Sequence, residues 1–328
     1  MVANNKNTHV SVAIELDNAA FHAESAWMES LNLMLEWVSQ STEINVTEVF
    51  ITHCDEYSSS VDGYIGQIPN PWKGRVKSLS FKKEDTHYYV MKNEAAKRAS
   101  GEIIVFLDCD LRPTGGSFGS LVEPLFKKSQ VASCGHTYFP LKDFMSKSYS
   151  LFWFFPLHAR AETLGKNQLH ASNVAFDKKW FLKTGFEMQY GGFKVSCFLI
   201  SQRLKDEGYV ISHPDVWFEH ELWNHSLRFF IWRAAVAGRD HDKKFAIRHS
   251  MKRWPRLKAA GRSLAYDIKR VYVKHIKYYR DVKLTPTTAT LSFLFSCCFF
   301  FLLRLNQAKS GLTPLRKNME VVPRNFIT

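Results

Sequence analysis

Two carboxylates one residue apart, Asp108 and Asp110, stand where the apolar run Ile103 to Leu107 gives out. Paired hard oxygens of this kind suit Mg2+ or Mn2+, which keeps several waters and takes phosphate oxygens beside protein carboxylates. The same tripeptide also serves as an ordinary turn cap. The neighbouring residues favour the metal. The apolar run reads as a fully buried strand bounded by turn signals. A polar, alanine-rich helix over Asn93 to Ala99 precedes it and ends at Gly101, and Pro113 is expected to shut off further regular structure. Carboxylates at the carboxyl end of a parallel strand lie where open α/β sheets bind ligands.

The rest of the chain supplies such a sheet. Val10 to Leu16 reads as a first strand, followed by Asp17 and Asn18, which serve either a ligand or a plain turn. Trp27, Leu31, Met34, Leu35 and Val38 form an apolar stripe at helical spacing, which is core packing. Glu48 to His53 is a second strand running directly into Asp55, which is either a ligand contact or an Asx-turn residue. Val76 to Phe81 makes a third strand, Leu121 to Lys128 a helix and Val131 to Phe139 a further strand. Strands alternating with helices predict an α/β fold with a mainly parallel sheet flanked by helices. The aromatic segment 148–160 reads as buried core, with a loop facing acceptor or membrane as the alternative.

A chain of 328 residues is long enough to bury one full catalytic core and carry an appendage. Its net charge of +13 is concentrated: Arg228 to Lys283 holds seventeen Lys or Arg against four Asp, the whole of the excess. That bias points to an anionic partner. The sequence shows no RRM, KH, helix-turn-helix or zinc signature, so a membrane surface is expected and nucleic acid is not. The six cysteines show no CxxC pairing, and the N-terminal residues have no apolar run of the secretory kind; both fit a reducing compartment.

Lys92 to Asp110, KNEAAKRASGEIIVFLDCD, resembles the central segment of family 2 glycosyltransferases: Arg/Lys-Asn, alanine-rich helix, Gly-Glu, apolar strand, Asp-x-Asp. The resemblance implies the Rossmann-like GT-A fold and a nucleotide-diphospho-sugar donor. It implies that Asp108 and Asp110 hold the diphosphate and a Mg2+ or Mn2+ ion, with Asn93 matching the helix Asn. Two further segments carry it. In ASNVAFDKKWFLKTGFE, Asn173 matches the Asn beside the donor sugar, and Gly185-Phe186-Glu187 matches the turn before the acceptor site. In the segment 191–220, Arg203, Leu204, Gly208, Tyr209 and His220 align, and His220 becomes a candidate metal ligand. By the same resemblance Asp17 and Asp55 approach the nucleotide. The chain departs from the family where a Glu-Asp pair normally supplies the general base, because Ser196 and Cys197 stand there. Glu187 is the stand-in for that base; the alternative is a catalytically impaired fold that binds nucleotide-sugar without turnover. The processive Gln/Arg-x-x-Arg-Trp motif is missing, which implies transfer of a single sugar to a lipid-linked or polysaccharide acceptor by inversion.

The boundary is expected near residue 240, with a GT-A domain over 1–240 and a basic helical appendage over 241–328. Gly261 to Val282 reads as a basic amphipathic helix, and the apolar segment 286–305 is just long enough to be a marginal span interrupted by Arg304. Together they predict membrane association at the cytoplasmic face.

Overall fold

The computed structural model describes residues 8–16, 24–82, 87–127, 130–153, 169–188, 195–220, 226–249 and 252–312. In chain order the strands are β1 (His9–Glu15), β2 (Asn45–Cys54), β3 (Val76–Phe81), β4 (Ile103–Asp108), β5 (Leu111–Gly115), β6 (Ala132–Cys134), β7 (His136–Tyr138), β8 (Asn173–Asp177) and β9 (Trp217–His220). The helices are α1 (Glu24–Ser39), α2 (Ser58–Gln67), α3 (Tyr88–Arg98), α4 (Phe118–Phe126), α5 (Phe144–Ser150), α6 (Lys178–Phe181), α7 (Val195–Asp206), α8 (Leu227–Arg248), α9 (Arg253–Tyr278) and α10 (Pro286–Leu312).

Two compact units emerge. The first comprises residues 1–137, 164–187 and 199–220 and holds a six-stranded sheet in the order β3-β2-β1-β4-β8-β6. The pairs β3-β2, β2-β1 and β1-β4 are parallel, whereas β8 runs antiparallel to β4 and β6 antiparallel to β8. The mainly parallel α/β expectation therefore holds, with an antiparallel edge added. The α1 stripe, Trp27, Leu31, Met34, Leu35 and Val38, is buried with Val10, Val12, Ile14 and Leu107 of the sheet in one core.

A second sheet, β5-β9-β7, lies beside it. Pro113 does not stop regular structure, as the sequence suggested; it sits within β5, where the ladder to β9 shifts register between Pro113 and Gly115. β5 is an edge strand, which tolerates the missing amide donor of proline. The run Val131 to Phe139 is also two strands rather than one. The Gly135 amide still reaches Asn173 of β8, but the next amide, His136, donates to Val216, so the chain changes sheets there. Trp37 ties α1 to this second sheet, packing edge-on against Phe218 of β9 at 5.1 Å and donating its indole N–H to the Gly116 carbonyl at 3.1 Å.

The second unit comprises residues 138–163, 188–198 and 221–328. Its core is aromatic: Phe139, Tyr149 and Phe152 pack with Phe230 of α8 and Phe299 and Phe300 of α10. The described part of the aromatic segment is thus core. The boundary expected at residue 240 falls inside the continuous helix α8, because Ala234 and Phe230 of that helix already belong to this aromatic core.

One polar knot fixes the amino ends of the first unit's central strands. Glu48 on β2 accepts from Ser11 at 2.9 Å, from the Ser100 amide at 2.6 Å and hydroxyl at 2.7 Å, and from Lys77 at 2.6 Å. Gly101 follows, so close to β1 that a Cβ would lie 2.6 Å from the Ser11 nitrogen and 2.8 Å from the His9 carbonyl oxygen. No other residue fits there without moving backbone. Burial raises the Glu48 pKa, but the bonds from Lys77, Ser100 and Ser11 outweigh it and bring the value down to about 2 from 4.5. A depressed folded-state pKa contributes stability above the unfolded value that is lost as pH falls through the folded one. Urea denaturation of the wild type should therefore show stability falling between pH 4.5 and about 2. Glu48→Gln should cost about 1 to 3 kcal/mol at pH 7 and flatten that dependence.

Candidate active site

The carboxyl ends of β1 and β4 form the floor of the site. Glu15 and Asp108 are register partners, the Asp108 amide donates to Ser172 at 2.8 Å, and the Cys109 amide donates to Glu15 at 2.9 Å. Held from both sides, the backbone sends the fully buried Cys109 side chain into the sheet core. Asp108 closes β4 on the face opposite Leu107, and Cys109 and Asp110 form the turn that follows it. Burial pushes the Cys109 thiol well up, with the neighbouring carboxylates adding to it, so it stays protonated and inert.

The two aspartates do different things. Asp108 is engaged on both oxygens: Lys92 donates to Oδ1 at 2.7 Å, and the Tyr88 hydroxyl lies 3.0 Å from Oδ1 and 2.8 Å from Oδ2. Both partners come from α3, four residues apart and hence on one face. Lys92 is buried, and its ammonium also lies 4.5 Å from the Tyr88 ring centroid and 5.4 Å from that of Phe106. Asp110 is buried too, but only its Oδ2 meets a partner, His220 Nε2 at 3.4 Å; its Oδ1 is buried without a hydrogen bond. Burial first, and then the charge of Asp108, raise the Asp110 pKa to about 6 against the lowering pull of His220 and Lys92. His220 reaches this position because β9 pairs antiparallel with β5, setting His220 opposite Leu111.

The orphaned Asp110 oxygen beside an imidazole fits one divalent cation whose other positions fall to phosphate oxygens and water. Among the described residues no cluster of three or more His, Cys, Asp or Glu side chains is placed to hold a metal. The expected set of Asp108, Asp110 and His220 thus resolves into a pair, Asp110 and His220, and a separate carboxylate bound to Lys92 and Tyr88.

The remaining candidates divide by location. Asn93 clamps a turn: its amide nitrogen donates to the Phe186 carbonyl at 2.9 Å and its oxygen accepts from the Phe186 amide at 2.8 Å. Gly185 beside it has φ +62°, and a Cβ there would lie 2.7 Å from Asn93 Oδ1. The half-buried Glu187 sits on the turn so fixed. Asn173 is fully buried at the start of β8, donating to Thr137 at 2.8 Å, and its register neighbour is Leu107. Asp55 is exposed at the carboxyl end of β2, accepting from the Cys54 thiol at 3.3 Å. Asp17 lies outside the described residues. Sequence reading missed Tyr88 and Lys92, because it began the helix at Asn93 whereas α3 starts at Tyr88. The signal available was a Tyr and a Lys at i, i+4 just before the alanine-rich turn.

Comparison with known proteins agrees with this geometry. Residues 63–185 match the model of glycosyl transferase family 2. The chain is similar in structure to the mannosyltransferase PcManGT from Pyrobaculum calidifontis, solved in complex with GDP-Man and Mn2+: TM-score 0.55, 16% identity, 95% of this chain and 89% of that one covered. A fainter likeness, TM-score 0.47 and 12% identity over 73% of this chain and 74% of the other, is to mannosyl-3-phosphoglycerate synthase from Rubrobacter xylanophilus. No curated protein sequence matches the chain. The fold is GT-A, and the resemblance to family 2 glycosyltransferases, first read from Lys92 to Asp110, is borne out.

Since Asp110 must be ionised to bind a cation and titrates near 6, Mn2+ affinity should fall as pH drops through that value. Titration of Mn2+ should give binding about tenfold weaker one pH unit below the Asp110 pKa than on the plateau above it. Lys92→Met should leave a buried carboxylate uncompensated and cost about 3 to 5 kcal/mol in urea denaturation.

Proposed function

We propose that this protein is an inverting, non-processive glycosyltransferase that moves one sugar from a nucleotide-diphosphate donor to a hydroxyl of a lipid-linked or polysaccharide acceptor. The observation that carries the reading is the buried, unpartnered Asp110 oxygen beside His220 at the carboxyl end of a parallel sheet. Asp110 and His220 are the residues that would hold Mg2+ or Mn2+. When bound, such an ion neutralises negative charge on the departing diphosphate as a Lewis acid. Asp108, held between Lys92 and Tyr88, offers a fixed acceptor edge toward donor hydroxyls. Asp17 and Asp55, following β1 and β2, take the nucleoside end, and Asn173 the region of the donor sugar.

In the transfer itself the acceptor oxygen forms a bond to the anomeric carbon from the face opposite the diphosphate. The bond from that carbon to the phosphate oxygen breaks, and the electron pair leaves with the nucleoside diphosphate. The acceptor proton goes to a carboxylate, for which Glu187 on the Asn93-clamped turn is the proposed group. Asn93 acts as a positioning residue through that turn. General-base help of this kind is worth about 10² to 10⁴ in rate. Ser196 and Cys197, where the family carries its carboxylates, favour a second reading: a GT-A fold that binds nucleotide-sugar and turns over slowly or not at all.

Two measurements separate the readings. Calorimetric titration of UDP and GDP with and without Mn2+ should give metal-dependent binding of one of them to the wild type, abolished in Asp110→Asn. Under the transfer reading, turnover of the matching nucleotide-sugar should fall about 10² to 10⁴-fold in Glu187→Gln with nucleotide affinity unchanged. Binding without turnover in the wild type would establish the second reading, and loss of both nucleotide and metal binding would remove the first.

A further inference from the structure

α9 and α10 each carry an apolar line on their outer side, and α9 also exposes Tyr266 and Val273 about 100° round from its line. On α9, Trp254 is 75% exposed, Tyr272 54% and Ile276 58%, with Ile268 also exposed. At 3.6 residues per turn these four fall within about 40° of one line. On α10, Leu291, Leu294, Cys298, Phe301 and Leu305 are all exposed and fall within a band of the same width. The helices run antiparallel, as the pairs His275–Ser292 and Asp267–Arg304 require. Taken round from those contacts, the α9 line lies about 100° from the direction of α10 and the α10 line about 160° from the direction of α9, so the two point outward about 80° apart. The Tyr272 ring, 5.9 Å from that of Phe293, joins α9 to α10 beside the α9 line.

The charges around these lines are mostly positive, with the exposed Asp281 just beyond α9 as an exception. Lys258, Arg262, Lys269, Lys277 and Arg280 are exposed along and just beyond α9, and Lys309 near the end of α10. Neither helix exposes a carboxylate: α10 has none, and Asp267, the single one of α9, is buried against Arg304. An apolar line edged mainly by cations, with an exposed Trp, matches the chemistry of an anionic lipid interface.

The opposite face of α10 argues against a simple span. By length and composition the helix is able to cross a membrane, yet its inner side is polar and engaged. Arg304 donates to Asp267 at 2.8 and 2.5 Å and to Gln307 at 2.5 Å, and Ser292 meets His275 at 3.0 Å. Inserting α10 lengthwise would either strip these groups of their partners or drag the cationic α9 into hydrocarbon, and both are costly. The geometry points to a membrane-docking face: α9 and α10 lie in the plane of an anionic bilayer surface, with Leu291, Leu294, Phe301, Leu305, Trp254 and Tyr272 entering the headgroup–acyl boundary. This gives the membrane association expected from the sequence an in-plane form and is independent of the catalytic reading.

Flotation of the full-length protein with vesicles of phosphatidylcholine plus phosphatidylglycerol tests it. The wild type should float with these vesicles, poorly with phosphatidylcholine alone, and less as salt is raised. Leu294→Asp and Phe301→Asp should each cut partitioning by about tenfold or more while leaving the melting temperature unchanged, since neither side chain is in the core. Carbonate washing at high pH should release the bound protein. Retention after that wash would establish a span and overturn in-plane docking. Failure to float, with a dimer in light scattering that Phe301→Asp dissociates, would assign the face to a second copy of the chain and equally overturn the proposal.

Discussion

The buried ion pair between Lys92 and Asp108 joins the helix before the site to the strand that carries it. A lone buried carboxylate at the closed end of β4 would be costly; the ammonium 2.7 Å away supplies a counter-charge, and the Tyr88 hydroxyl meets both oxygens. Everything placed by α3 then follows. Asn93, one residue after Lys92, clamps the Gly185–Phe186 turn, so the ion pair and the turn that carries Glu187 share one helix. Fixing Asp108 also fixes the peptide that leads to Asp110, with Cys109 anchored in the core between them.

Two carboxylates with one residue between them acquire opposite characters from their surroundings. Asp108 has its full complement of donors. Asp110 has a neighbouring negative charge, a buried oxygen without a donor and one imidazole, so its proton is held up to about pH 6. Such a group is primed for a cation, because a divalent ion supplies the counter-charge that the fold withholds. The second sheet exists in this unit to complete that arrangement. β5 and β9 pair so that His220 comes opposite Leu111, and Trp37 presses the pair onto α1 through Phe218.

Much of this was legible in the sequence. The apolar run Ile103 to Leu107, the α1 stripe and the alternation of strands with helices all have local periodicities, and each folded as read. The approach of His220 to Asp110 was legible only through family resemblance, since 110 residues separate them and no local pattern encodes the β5–β9 pairing. The engagement of Lys92 and Tyr88 was not legible, because nothing along the chain says that a basic residue in an otherwise polar helix turns inward. Pro113 misled for a related reason: whether proline ends a strand depends on whether the strand lies at an edge, which is a property of the sheet. In the apolar segment 286–305, composition counts side chains but not their partners. Arg304 looks like an interruption in the sequence and is a buried link to Asp267 in the fold.

The most direct test is a crystal structure of the protein soaked with Mn2+ and the nucleoside diphosphate it binds, with the metal located by its anomalous signal. The metal should sit on Asp110 and His220, and Lys92 and Tyr88 should still hold Asp108. A metal seated on Asp108 with Lys92 displaced, or on neither aspartate, would contradict the division of roles between the two carboxylates.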